Sequence, residues 1–273
     1  MKLINDLEEK SKWVRKETIR IHRFAPETRL ASSLSPIEIF VVLYYGNILK
    51  YFSNDPYNDD RDRFVISKGH GSISMYPILA DLGFFPKDEL NKICKSEGIL
   101  GGIPDPIIPG YETINGSLGH GLGVAAGMSM ALKKNKNSSN VFVMTGDGEM
   151  HEGSNWEAVM FSSQHKLDNL HLIIDNNKIS MLDYTENIIT QNNMLDRLIS
   201  FGWDVCEVDG HNVTEIHEAL VEKTNTQNLK PKAIIANTIK GNGVPGLENN
   251  PLSHVVNPKR DILDKLLGEV GDS

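Results

Sequence analysis

Val141-Phe142-Val143-Met144-Thr145-Gly146-Asp147-Gly148-Glu149 is the stretch that decides the fold, read together with Leu170-His171-Leu172-Ile173-Ile174-Asp175-Asn176-Asn177. Asn177 follows Asp147 by 30 residues. Each stretch begins as a short apolar, β-rich run and ends in polar or glycine residues, the pattern of parallel strands whose carboxyl ends carry ligand loops. Between them, residues 153–166 have room for one helix, with Trp156, Val159 and Met160 spaced to bury one stripe. Strand, helix, strand is a crossover that brings the two polar ends side by side.

Asp147 then offers a carboxylate and Asn177 an amide carbonyl to one small cation, and the backbone carbonyl of Ile179 adds a third oxygen from the following turn. Mg²⁺ takes about six oxygens at roughly 2.1 Å and shares itself between protein, water and phosphate. Three protein oxygens leave room for two diphosphate oxygens and a water. Gly146 and Gly148 are expected to permit dihedrals and a close approach that a Cβ would obstruct, so that amides beside the metal face phosphate. Asp-Gly alone is also an ordinary turn. The second strand, with its Asn at matching depth, is what makes the pair read as a metal site.

The 273 residues carry 28 Lys and Arg against 36 Asp and Glu, a formal charge of -8. No basic cluster stands out, which argues against nucleic acid as a partner. Cys94 and Cys206 are isolated, lack metal-type spacing and read as packing thiols of a reduced, cytoplasmic protein. Residues 1–20 are rich in charge and lack the apolar core of a signal peptide. The apolar segment 118–132 is too short to cross a bilayer as an independent helix, so no membrane association is expected.

Alternating strand-like and helix-like segments point to one α/β domain over residues 1–273, a mainly parallel sheet flanked by helices on both faces, with a helical extension over about residues 1–35. Ser11–Phe24 reads as an amphipathic helix. Ser35-Pro36-Ile37-Glu38 reads as a capping box opening a helix that buries Ile37, Phe40, Val41 and Tyr44. Arg63-Phe64-Val65-Ile66 leads into Ser67-Lys68-Gly69-His70-Gly71 and a helix to about Leu82, and Lys87–Ser96 is a further helical candidate. Residues 98–119 are too rich in Gly and Pro for regular structure, and a connection that long is expected to be a binding or interface element. A helix through Leu132 follows, made thin by Gly123, Ala125, Ala126 and Gly127. Asn192–Ser200 reads as helix, Trp203–Val208 as strand, Asn212-Val213-Thr214-Glu215 as a second capping box, and Lys232–Asn237 as the last strand before the Lys240-Gly241-Asn242-Gly243 loop.

With Gly146-Asp147-Gly148 and Asn177 in hand, the chain resembles the thiamine-diphosphate enzymes of the transketolase type. The likeness runs from about Ile19 to His254 and is carried by Ser67-Lys68-Gly69-His70, Asn115-Gly116-Ser117-Leu118-Gly119, Gly146 to Gly153, Lys166-Leu167-Asp168-Asn169-Leu170, Phe201-Gly202-Trp203 and Val208-Asp209-Gly210-His211. The resemblance implies the diphosphate-binding half of a split, two-subunit enzyme, with thiamine diphosphate as electron sink and Mg²⁺, or Ca²⁺ or Mn²⁺ in its place. A separate C-terminal subunit would supply the pyrimidine-binding domain and its activating Glu, in an α2β2 heterotetramer, and the isolated chain would lack turnover. By the same resemblance Asp147, Asn177 and Ile179 hold the metal and Gly148 approaches the diphosphate. His70 and His254 lie near the phosphate and the reacting centre as catalytic groups, and Gly116 and Leu118 touch the aminopyrimidine. Glu152 falls at the inter-subunit face, while Ser117, Gly146, Glu149, Asp175 and Ile239 complete the expected cofactor-binding set.

Two departures from the family pattern bear on substrate. Arg29 stands where a donor-binding His is expected, and Ile103, in Gly102-Ile103-Pro104-Asp105, replaces another. Ile103 cannot donate to a hydroxyl, whereas Arg29 can pair with a carboxylate or phosphate. The expected activity is two-carbon transfer to an aldehyde acceptor with an unusual donor or acceptor: a sugar phosphate, a modified sugar or a 2-oxo acid. The alternatives are decarboxylative transfer from a pyruvate-type acid and a noncatalytic regulatory or structural subunit. A nicotinamide dehydrogenase fits less well, because the Gly-rich turn here pairs with Asn177 instead of an acidic residue about 20 positions on.

Overall fold

The computed structural model describes residues 2–190, 193–226 and 228–269. Five strands, β1 (Arg63–Ile66), β2 (Val141–Gly146), β3 (Leu170–Asn176), β4 (Asp204–Asp209) and β5 (Lys232–Asn237), form one parallel sheet in the order β1-β2-β3-β5-β4. The register sets Gly146 beside Asp175 and Asn176 beside Asn237, so β2, β3 and β5 end at one edge. Every residue of β2 is buried, as a parallel strand covered on both faces requires.

The helices are α1 (Lys2–Phe24), α2 (Leu30–Leu34), α3 (Ile37–Tyr45), α4 (Met75–Asp81), α5 (Gly121–Lys134), α6 (Gly153–Gln164), α7 (Thr185–Ile188), α8 (Met194–Ser200), α9 (Val213–Asn225) and α10 (Arg260–Glu269). Strand alternation feeds two cores. Phe64, Phe142, Met144, Ile173 and Ile234 pack with α1, α3, α4 and α9 on one face, and Val65, Val143, Leu172, Ile174 and Ile235 pack with α5, α6 and α8 on the other. Among the described residues no helix is long and apolar enough to cross a membrane.

The crossover predicted between β2 and β3 is α6, but its buried residues are Asn155, Ala158, Val159 and Ser162; Met160 is 49 % exposed beside the exposed Phe161. Of the expected stripe Val159 is buried and Trp156 packs on the core, while Met160 turns outward into an exposed apolar patch. The expected capping box at Ser35 does not form. Ser35 donates its hydroxyl to Asp175 at 2.7 Å, and Glu38 is held by Arg15 and His211, so buried charges claim both side chains. At Asn212 only the N-cap half of the box forms: its Oδ1 accepts from the Thr214 and Glu215 N–H groups at 3.0 and 3.3 Å, while its own backbone N–H goes to the Asp209 carbonyl at 3.1 Å instead of to Glu215. The first helix begins at Lys2 instead of Ser11, and Leu7, Val14, Ile19 and Ile21 sink into the core. Only Lys87–Asn91 of the segment to Ser96 is helical, as a 3-10 turn. Asn192, expected to open a helix, lies outside the described residues. The close approach expected of α5 occurs at Gly121, where a Cβ would stand 2.4 Å from Cβ of Ser67, whereas Gly123 and Gly127 face open space.

Candidate functional site

The polar ends of β2, β3 and β5 line a cavity of about 290 Å³ with the Ser67–Gly71 turn and the His254 segment. Asp147 follows β2 and receives Thr185 Oγ1 at 3.1 Å on Oδ2, while its N–H donates to the Asp175 carbonyl at 3.2 Å. At 4 % exposure its carboxyl is pushed up to about 6 by burial and by neighbouring Asp175. A buried carboxylate so disfavoured in its charged form is a place where a cation gains.

Asn177 follows β3, 8 % exposed, with Oδ1 accepting the Ile179 N–H at 3.2 Å. The chain then turns back through an antiparallel bridge between Ile179 and Tyr184, with Ile179 lining the cavity. Lys240 Nζ donates to the Ile179 carbonyl at 3.0 Å and to the Ser180 carbonyl at 2.9 Å. Burial and Lys68 pull the Lys240 ammonium down to about 8. The three residues expected to donate oxygen thus line one cavity, and the donor set, one carboxylate with two neutral carbonyl oxygens, fits a hard divalent ion that keeps positions for phosphate and water. Gly146 and Gly148 lie outside the left-handed region. The role of Gly148 is close approach, since a Cβ there would stand 3.1 Å from Ser180 Oγ.

Across the cavity the rings of His70 and His254 meet edge to face with centroids 4.9 Å apart. His254 Nδ1 lies 3.3 Å from Ser32 Oγ. Burial and the surrounding Lys240, Arg29 and Lys68 charges hold His254 down to about 4, and burial with Lys68 holds His70 well below the usual imidazole range. Both are therefore neutral at physiological pH, each with donor and acceptor nitrogens. Gly116 and Leu118 close one side, and Glu149 lines the floor while accepting from Ser67, Gly119 N–H at 2.9 Å and Gly146 N–H at 3.2 Å.

Other expected residues lie elsewhere. Ser117 and Glu152 are exposed outside the cavity wall. Ile239 lines the neighbouring cleft with His211, and its successor Lys240 points into the cavity. Asp175 is wholly buried behind the wall. Ile103 is 43 % exposed, its Cδ1 3.6 Å from where a Cβ on Gly116 would stand, and Arg29 is half-buried, close enough to depress both histidines. Sequence reasoning missed Lys68, Lys240, Ser32 and Ser180 as cavity residues. The available signal for the lysines was position: each is a lone basic residue just beyond a strand that ends at this edge.

The family described as transketolase, thiamine diphosphate binding domain, matches residues 30–269. An apulose-4-phosphate transketolase subunit of Actinobacillus succinogenes is 36% identical, the match covering 98% of this chain and 97% of that protein. A 6-deoxy-6-sulfo-D-fructose transketolase subunit of a Clostridium species is 35% identical over 91% of this chain and 90% of its own length. The crystal structure of Campylobacter jejuni transketolase superposes with a TM-score of 0.90 at 29% identity, covering 99% of this chain but only 43% of that longer one. With the strand-end cavity and these matches together, the chain belongs to the transketolase family, as its thiamine diphosphate binding domain.

Proposed function

We propose that this chain is the diphosphate-binding subunit of a split transketolase-type enzyme, which transfers a two-carbon unit to an aldehyde acceptor once a second subunit brings the pyrimidine-binding domain. The observation that carries the reading is the convergence of Asp147, Asn177, Ile179 and Lys240 at adjoining strand ends. Asp147, Asn177 Oδ1 and the Ile179 carbonyl would hold Mg²⁺, and Lys240 would balance diphosphate charge. Thiamine diphosphate would supply the carbon nucleophile and the electron sink. His70 and His254, neutral and adjacent, can donate to or accept from an oxygen that alternates between carbonyl and alkoxide. The proposal includes an α2β2 assembly, as the family resemblance implies, with the exposed apolar residues Ile107, Ile114 and Val124 among those a partner would cover.

Arg29 and Ile103 would set the donor. The first donors to test are apulose 4-phosphate, named for the Actinobacillus relative, and 6-deoxy-6-sulfo-D-fructose, named for the Clostridium one. The exposed, apolar Ile103 at the rim favours a second reading, decarboxylative transfer from a pyruvate-type acid, because its butyl side chain accepts a methyl group and offers nothing to a hydroxyl. Assays of the co-expressed pair with those two ketoses, other ketose phosphates, hydroxypyruvate and pyruvate separate the two. Turnover with ketose donors alone supports the first reading, with pyruvate alone the second, and with none of them neither.

A further inference from the structure

Asn177 can offer a cation either its amide oxygen or its amide nitrogen, and only the oxygen binds. The two ends have nearly the same shape, so packing alone does not choose between them. Two contacts do: Oδ1 accepts the Ile179 N–H at 3.2 Å, and Nδ2 donates to Asp175 Oδ2, also at 3.2 Å. Turning the amide over would set its oxygen against a carboxylate and its NH₂ against a backbone N–H.

Asp175 is built to hold that contact. It is 0 % exposed, and its carboxylate also accepts from Lys68 Nζ, from Thr238 Oγ1 and from Ser35 Oγ at 2.7 Å. These donors come from separate segments: the turn after β1, the residue after β5 and the α2–α3 junction. Lys68 also neutralises the carboxylate, and Asp175 stands outside the cavity wall, so it acts through Asn177 and is no rival ligand.

We infer that Asp175 is a positioning residue of the cation site, whose carboxylate selects the Asn177 amide orientation that leaves Oδ1 facing the metal. The inference rests on the metal-site reading proposed above. Mn²⁺ binding to the full chain with thiamine diphosphate, followed by electron paramagnetic resonance and by water-proton relaxation, tests it. Asp175→Asn should weaken Mn²⁺ binding about 10–100-fold, the scale of losing a ligand's outer partner, and add a water to the bound ion. Asn177→Asp placed on that background should recover at least about tenfold, because a carboxylate presents oxygen whichever way it turns. Affinity and hydration unchanged in folded Asp175→Asn, or no recovery in the double variant, would overturn the inference. Asp147→Ala distinguishes its failure from that of the site reading: if that variant also keeps full affinity, the metal site itself is misassigned. Should Asp175→Asn not fold, ¹⁵N resonances of the native chain decide. The Asn177 side-chain protons should be protected from solvent exchange with and without the ion, and exchange at the rate of a free amide would refute the role.

Discussion

The floor and the rim of the cavity are built on opposite principles. On the floor every group is held twice over: Asp147 by Thr185 and the sheet, Asn177 by Asp175 and Ile179, Lys240 by two carbonyls. At the rim, Ile103 lies against Gly116, in an irregular loop that also leaves the side chains of Ile107 and Ile114 exposed. A diphosphate and its metal have fixed geometry, so a site for them gains from rigidity. An exposed apolar loop is what a substrate or a second polypeptide could cover, which is the role proposed for it above.

The contrast is broken most severely at the floor. Asp147→Ala should reduce metal-dependent thiamine diphosphate affinity by at least about 100-fold, more than the loss typical of an outer hydrogen-bonding partner, with the melting temperature of the metal-free chain little changed; calorimetric titration and scanning measure the two. Rim substitutions should leave cofactor affinity alone and move specificity. Ile103→His in the co-expressed pair should shift the ratio of kcat/KM for hydroxylated over methyl donors by about tenfold or more toward the hydroxylated ones, since a polar partner replaces an apolar one. A tenfold change in cofactor affinity from that variant would erase the distinction between the regions.

Two smaller effects test whether the scaffold beneath both regions is separable from them. His171, stacked on Phe142 at 4.7 Å, is held down to about 3 by burial and by Lys232. The unfolded chain, with an ordinary imidazole near 6.5, takes up this proton more readily than the native one. The contribution is fully present above about pH 6.5 and is lost progressively toward pH 3. Denaturant titrations over that window should show a shallower stability slope for His171→Phe. Asn212→Ala removes the formed cap of α9 and should cost about 1 kcal/mol in the same titrations, with cofactor affinity unchanged.

Much of the floor was legible in the sequence because it depends on local order along two strands. Apolar runs ending in Gly-Asp-Gly and Asp-Asn-Asn dictate a crossover, and the crossover brings Asp147 and Asn177 to one edge without knowledge of distant contacts. The resemblance points to Ile239, whereas Lys240 is the one that lines the cavity, because which residue beyond a strand end faces the site depends on how the loop leaves the sheet. Asp175 was grouped with the cofactor contacts because its burial depends on Ser35, Lys68 and Thr238, which lie far from it in sequence. The failed cap at Ser35 has the same origin: a local motif lost to a distant carboxylate. The outward orientation of Met160 and Phe161 is illegible because an exposed apolar residue looks, in sequence, like a buried one.

Anomalous diffraction from crystals grown with Mn²⁺ and thiamine diphosphate tests the central claim most directly. The account predicts one anomalous peak within roughly 2.0–2.4 Å of an Asp147 carboxylate oxygen, Asn177 Oδ1 and the Ile179 carbonyl, bridging to the diphosphate. A peak away from those oxygens, or an ordered cofactor whose diphosphate leaves them untouched, would contradict it.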